Sequence, residues 1–149
     1  MTKKVLIVDD DRNTVKFLSV VLGDHGYEPL GAYDGNEGLE KIQQIEPDLI
    51  VLDVMMPKKT GFVLFRQIRK DHRYKDIPVL MLTGVGGVLE ELENRKEETF
   101  ERPYDSLREA LKKQIREMRD EGLLEPGKFM DKPIDPEEFI AQVKQLADN

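Results

Sequence analysis

Polar side chains stand at the ends of four separate apolar runs, and their types suit the handling of a divalent cation and a phosphoryl group. KVLIVDDD at residues 4–11 closes on Asp9 and Asp10, and DLIVLDVMMP at 48–57 carries Asp53. PVLMLTG at 78–84 delivers Thr83, and KFMDKPID at 128–135 delivers Lys132. If each run is a buried parallel strand, these groups emerge together at one edge of one sheet. Carboxylates gathered at that density share a hard cation such as Mg²⁺, which takes one or two carboxylates alongside water and phosphate oxygens. Without a cation they repel, each close pair by on the order of 4 kcal/mol at about 4 Å before solvent relaxes it. Asp53 ends the most apolar run, so its carboxylate is walled in and fixed in direction, as a nucleophile attacking phosphorus in line requires. Lys132 offers a cation, and Thr83 a hydroxyl, to phosphoryl oxygens.

The elements needed to position these groups are legible in the pattern. Val5–Val8 reads as a first strand. A helix through Val15, Leu18, Val21 and Leu22 follows, closed by Gly23 and Gly26. Tyr27–Tyr33 is a weak second strand, and Asp34 caps a helix carrying Leu39, Ile42 and Ile45 that stops ahead of Pro47. Leu49–Leu52 is a central strand, apolar on both faces. Thr60 and Gly61 open a helix through Phe62, Phe65 and Ile68, and Ile77–Leu82 is a fourth strand. Asp135, Pro136 and Glu138 form an N-cap, an N1 proline and a capping-box acid before Phe139, Ile140, Val143 and Leu146. Strict alternation of strand and helix implies a parallel sheet covered on both faces.

Residues 85–126 interrupt that rhythm with dense charge. A short helix is expected from Val88 to about Glu98, then Pro103, then a helix capped by Ser106. In the latter Leu107, Leu111, Ile115 and Met118 form one apolar stripe, which either folds back on its own sheet or makes a dimer or partner interface.

At 149 residues and 39% hydrophobic content, the chain is expected to form one domain over 1–149. A net charge of −7 argues against direct nucleic-acid binding. The absence of cysteine excludes a disulfide framework and a thiolate metal site. No run is long enough for a signal core or a membrane span, so a soluble cytoplasmic protein is expected. His25 and His72 are too isolated to form a metal site.

Taken in order, the Asp9-Asp10 pair, Asp53 followed by Met56-Pro57 and Gly61, Thr83-Gly84 and Lys132-Pro133 resemble the response-regulator receiver domain of two-component signalling. The likeness covers residues 4–84 and 127–147. It implies a CheY-like, doubly wound α/β fold of five parallel strands in the order 2-1-3-4-5, here with a helical insertion over 85–126 before the fifth strand. It also implies that Asp53 is the phosphoacceptor, that Asp10 binds Mg²⁺ directly and Asp9 directly or through water, and that Asp53 and the Met55 carbonyl complete the set. Thr83 would be the switch hydroxyl and Phe129 the switch aromatic, and the Lys132–Pro133 peptide would be cis. Asp11 falls at a position without a ligand role.

The implied function is a stand-alone switch, since the chain ends with its final helix. A sensor histidine kinase or phosphotransfer protein would donate the phosphoryl group, and a downstream protein would read the result. Such a module is not an enzyme on a separate substrate; it acts only on its own phosphorylation state. Two alternatives remain: a receiver-like scaffold that binds partners constitutively, or a Mg²⁺-dependent aspartyl phosphohydrolase. The latter would need a second aspartate beside the nucleophile, where Val54 and Met55 stand.

Overall fold

Three strands of this chain are apolar at nearly every position because both of their faces are covered. In the computed structural model, which describes residues 2–56, 60–83, 105–120 and 129–148, β1 is Lys4–Val8, β3 is Leu49–Asp53 and β4 is Val79–Thr83. Every residue of β3 and β4 is buried, as is β1 from Val5 onward. The edges are β2, Glu28–Ala32, and β5, Phe129–Asp131. All four pairings are parallel, and the order is β2-β1-β3-β4-β5.

Alternation along each strand sorts the core into two clusters. Val5, Ile7, Leu49, Val51, Leu80 and Leu82 pack with Val15, Leu18 and Leu22 of α1 (Arg12–Asp24) and with Phe139, Ile140 and Val143 of α5 (Pro136–Ala147). Leu6, Val8, Ile50, Leu52, Val79 and Met81 face the other way. They meet Ile42 of α2 (Gly35–Ile45), Phe62, Leu64, Phe65 and Ile68 of α3 (Gly61–Lys70), and Ile115 of α4 (Asp105–Asp120). Each fully buried aliphatic contributes roughly 1.5–3 kcal/mol relative to exposure. Among the described residues, no helix is long and apolar enough to cross a membrane.

The helices start where short polar side chains satisfy free backbone N–H groups. Asp11 accepts from Asn13 N at 3.0 Å, Asp34 from Glu37 N at 2.8 Å, Thr60 from Val63 N and Asp135 from Glu138 N. Their ends depart from expectation in two places. Gly23 lies inside α1; Gly26, at φ 85°, makes the left-handed turn that leads into β2. Ser106 is the second residue of α4, whose first is Asp105. The helix expected over 88–98 lies outside the described residues, as do Pro57, Gly84, Val85 and Pro103.

Candidate functional site

The sheet order reverses beside β1: β2 lies on one side of it and β3 on the other, so the chain leaves β1 and β3 in opposite directions and a crevice opens at their carboxyl ends. Asp9 and Asp10 follow β1 directly and Asp53 is the last residue of β3, so the topology delivers all three acids to that crevice. One oxygen from each lies within 4.8 Å of the others. Asp9 and Asp53 are buried and Asp10 is exposed.

Backbone amides hold the two buried carboxylates in place. Asp11 N donates to Asp9 Oδ1 at 2.9 Å, and Met55 N donates to Asp53 Oδ1 at 3.0 Å. Lys132 reaches across from β5. Its Nζ lies 2.8 Å from Asp9 Oδ2 and 3.7 Å from Asp53 Oδ2, and the Lys132–Pro133 peptide is cis. Thus Asp53 has one oxygen held by an amide and the other turned toward an ammonium.

One lysine does not neutralise this crowd. Burial, and next the charge of Asp9, push the Asp53 carboxyl up to about 7, against the weaker opposing pull of the Met55 N–H and Lys132. Burial pulls Lys132 down, but its hydrogen bond to Asp9 and the charges of Asp53 and Asp9 outweigh that, so its pKa is raised. The excess of negative charge in a hard-oxygen donor set is what a divalent cation would relieve, and the residues present fit Mg²⁺. Asp11 is spoken for elsewhere: it caps α1, accepting also from Thr14 Oγ1 at 3.0 Å, and those hydrogen bonds hold its carboxyl below the usual range.

Close approach of the backbone at Asp53 explains a glycine. A Cβ on Gly61 would sit 2.2 Å from the Asp53 carbonyl oxygen and 2.7 Å from Val54 Cα. Only glycine lets the first turn of α3 lie against the end of β3.

Thr83 is wholly buried at the end of β4. Its hydroxyl donates to Asp131 Oδ1, and its carbonyl accepts from Lys132 N at 2.8 Å. Asp131 was not among the residues singled out from sequence. Its one signal was a carboxylate next to Lys132, and only the β4–β5 register, Thr83 opposite Asp131, reveals the pairing. Phe129 is half-buried at the start of β5, against the cluster that holds Ile115.

Of the proposed interface stripe, Ile115 is fully buried in the chain's own core, between its helix and the sheet. The side chains of Leu107, Leu111 and Met118 lie outside the described residues. Beside the site, a cleft of about 500 Å³ is lined by Asn13, Thr14, Phe17, Lys132, Pro133 and Ile134, with Phe17 exposed.

Known proteins resemble this chain in sequence and fold. The family described as the response regulator receiver domain matches residues 5–100. The DNA-binding dual master transcriptional regulator RpaA of Synechocystis is 33% identical over 143 residues, 96% of this chain and 48% of that protein. The alkaline phosphatase synthesis transcriptional regulatory protein PhoP of Bacillus subtilis is 35% identical over 147 residues, 98% of this chain and 49% of that protein. The chain thus spans about half the length of these curated relatives. Chemotaxis response regulator CheY4 of Vibrio cholerae superimposes with a TM-score of 0.69 at 29% identity, covering 98% of this chain and 99% of that one. With its two-faced parallel sheet and its acids at the switch point, the chain belongs to the response-regulator receiver-domain family.

Proposed function

We propose that Asp53 accepts a phosphoryl group from a phosphohistidine on a sensor histidine kinase or phosphotransfer protein, and that the acyl phosphate switches a protein-interaction surface. The observation that carries this reading is the state of Asp53: buried, with Oδ1 held by the Met55 amide and Oδ2 facing Lys132. A carboxylate so held has a defined direction of attack. In the transfer, an Asp53 oxygen forms a bond to phosphorus, the bond from phosphorus to the imidazole nitrogen breaks, and its electron pair stays on the histidine.

Asp9, Asp10 and Asp53, with the Met55 carbonyl, would hold Mg²⁺. Bound there, the cation offsets the charge that otherwise keeps a phosphoryl anion away from a carboxylate. Lys132 gives a fixed positive charge to phosphoryl oxygens, and Thr83 a hydroxyl donor. The cleft beside Lys132, edged by the exposed Phe17, gives the donor protein an apolar landing next to the site. Thr83 and Phe129 would carry the change to the α4–β5 side, where a downstream protein reads it.

In this reading residues 1–149 form one receiver unit, with 85–126 as its helical elaboration, in the cytoplasm. The longer relatives are named transcriptional regulators, and an output of that kind would come from a partner or a joined segment. The net charge of −7 does not suit direct DNA contact by these residues. The intact acid, threonine and lysine set favours the switch over a constitutive scaffold, which has no need of it. Val54 and Met55 offer no general acid beside Asp53, which disfavours a phosphohydrolase.

The test is intact mass after incubation with Mg²⁺ and a small acyl phosphate donor. The native chain is expected to gain one phosphoryl group, and to gain none under chelation or as Asp53→Asn. An equal gain by Asp53→Asn contradicts the reading.

A further inference from the structure

We propose that Asp131 is a positioning residue for the switch: its carboxylate holds the Thr83 hydroxyl in the unphosphorylated chain and must release it before Thr83 can serve a phosphoryl group on Asp53. This rests on the phosphoacceptor reading of Asp53 and adds to it the contact that sets the threshold.

A threonine hydroxyl has one proton to donate. In this structure that proton goes to Asp131 Oδ1 from a side chain with no exposure to water. The acceptor is the side chain of an acid rather than an amide or a backbone carbonyl. The backbone closes the same corner, with Lys132 N donating to Thr83 O at 2.8 Å. A phosphoryl oxygen on Asp53 would compete for the same proton, so the two arrangements of Thr83 exclude each other.

The surroundings suit an exchange. Asp131 is only half-buried, so once released its carboxylate can be hydrated instead of being left unpaired in the core. Thr83 cannot be hydrated where it lies, and it needs one acceptor or the other. Asp131 also shares a face of β5 with Phe129, two residues earlier, as alternate residues of a strand must. Phe129 packs against the cluster containing Ile115 of α4. A change in the partner of Asp131 is therefore felt at the aromatic side chain that borders α4.

The experiment measures the affinity of the full chain for beryllofluoride, a phosphoryl mimic, in saturating Mg²⁺ by calorimetric titration. Asp131→Ala and Asp131→Asn are compared in the native and Thr83→Val backgrounds, with folding checked by circular dichroism. Asp131→Ala is expected to bind about tenfold tighter, equivalent to about 1.4 kcal/mol. Asp131→Asn, which keeps a neutral acceptor, falls between Ala and native, and both gains vanish with Thr83→Val. Should Asp131→Ala not fold, the isosteric Asp131→Asn carries the same comparison. Native-like affinity for the Asp131 variants overturns the proposal. An undiminished gain in the Thr83→Val background also overturns it, because that would be the effect of removing a charge rather than freeing a hydroxyl. If the native chain and every variant ignore the mimic, the phosphoacceptor reading itself fails, an outcome distinct from either of these.

Discussion

Asp53→Asn is expected to stabilise the metal-free protein, by an amount that grows with pH in a defined window. The folded chain raises this carboxyl from 3.8 to about 7, first through burial and then through Asp9. The folded state therefore binds the Asp53 proton more tightly than the unfolded state does. Between about pH 4 and pH 7 the unfolded chain has lost that proton and the folded chain still holds it, so stability falls as pH rises through the window and is level above it. Three pH units at about 1.36 kcal/mol each set a ceiling of about 4 kcal/mol. Solvent relaxation at the open sheet edge brings the observable nearer to about 2 kcal/mol. Asparagine does not titrate, and its side-chain oxygen can still accept from the Met55 amide. The advantage of the mutant should thus be near zero at pH 4, about a third of its full size at pH 5, and complete at pH 8. For a chain of this length about 2 kcal/mol corresponds to a rise of roughly 6 °C in melting temperature. Thermal unfolding in chelator at pH 5 and pH 8 measures this, and saturating Mg²⁺ at pH 8 should shrink or reverse the gap by favouring the ionised native site. A mutant no more stable than native at pH 8, or a gap that does not change with pH, refutes the reasoning.

The neighbouring acids should separate by role. Asp10→Ala should lose Mg²⁺ affinity with little effect on melting, whereas Asp11→Ala, which removes the α1 cap, should melt earlier and still bind Mg²⁺; titration calorimetry and thermal unfolding distinguish the two. Gly61→Ala should destabilise by about 1–3 kcal/mol, since its Cβ would press on the Asp53 carbonyl, and denaturant unfolding reads the loss. Ile115→Ala should cost about 2–5 kcal/mol, as for other buried aliphatics, while leaving the sedimentation coefficient unchanged. A shift in association state with native stability would instead place Ile115 at an interface.

Much of this site was legible because its chemistry and its fold use the same signals. β1 and β3 are apolar on both faces, a pattern that suits a covered parallel sheet, and in such a sheet the acids that end them share an edge. Asp34 and Asp135 announced their helices by the backbone amides such side chains satisfy. Other features depend on what no local pattern encodes. The stripe containing Ile115 shows that its helix has an inside, but not whose inside it is; that depends on the burial of Ile115 within the cluster on one face of the sheet, which no local pattern encodes. Asp131 was invisible because β5 is three residues long and alternation over so short a run sets no register. Gly23 looked like a helix end because glycine commonly closes helices, yet it lies inside α1, where its cost of about 1 kcal/mol is outweighed by the packing of Leu18 and Leu22.

The central claim is that the carboxylate of Asp53 takes the phosphoryl group. Borohydride reduces an acyl phosphate, but not a free carboxylate, to an alcohol, so an aspartyl phosphate becomes homoserine. After incubation with Mg²⁺ and a small acyl phosphate donor, reduction and peptide mass mapping should find homoserine at position 53 and at no other aspartate. Homoserine at Asp9, Asp10 or Asp131, or none anywhere in a chain whose intact mass shows a bound phosphoryl group, would contradict the account.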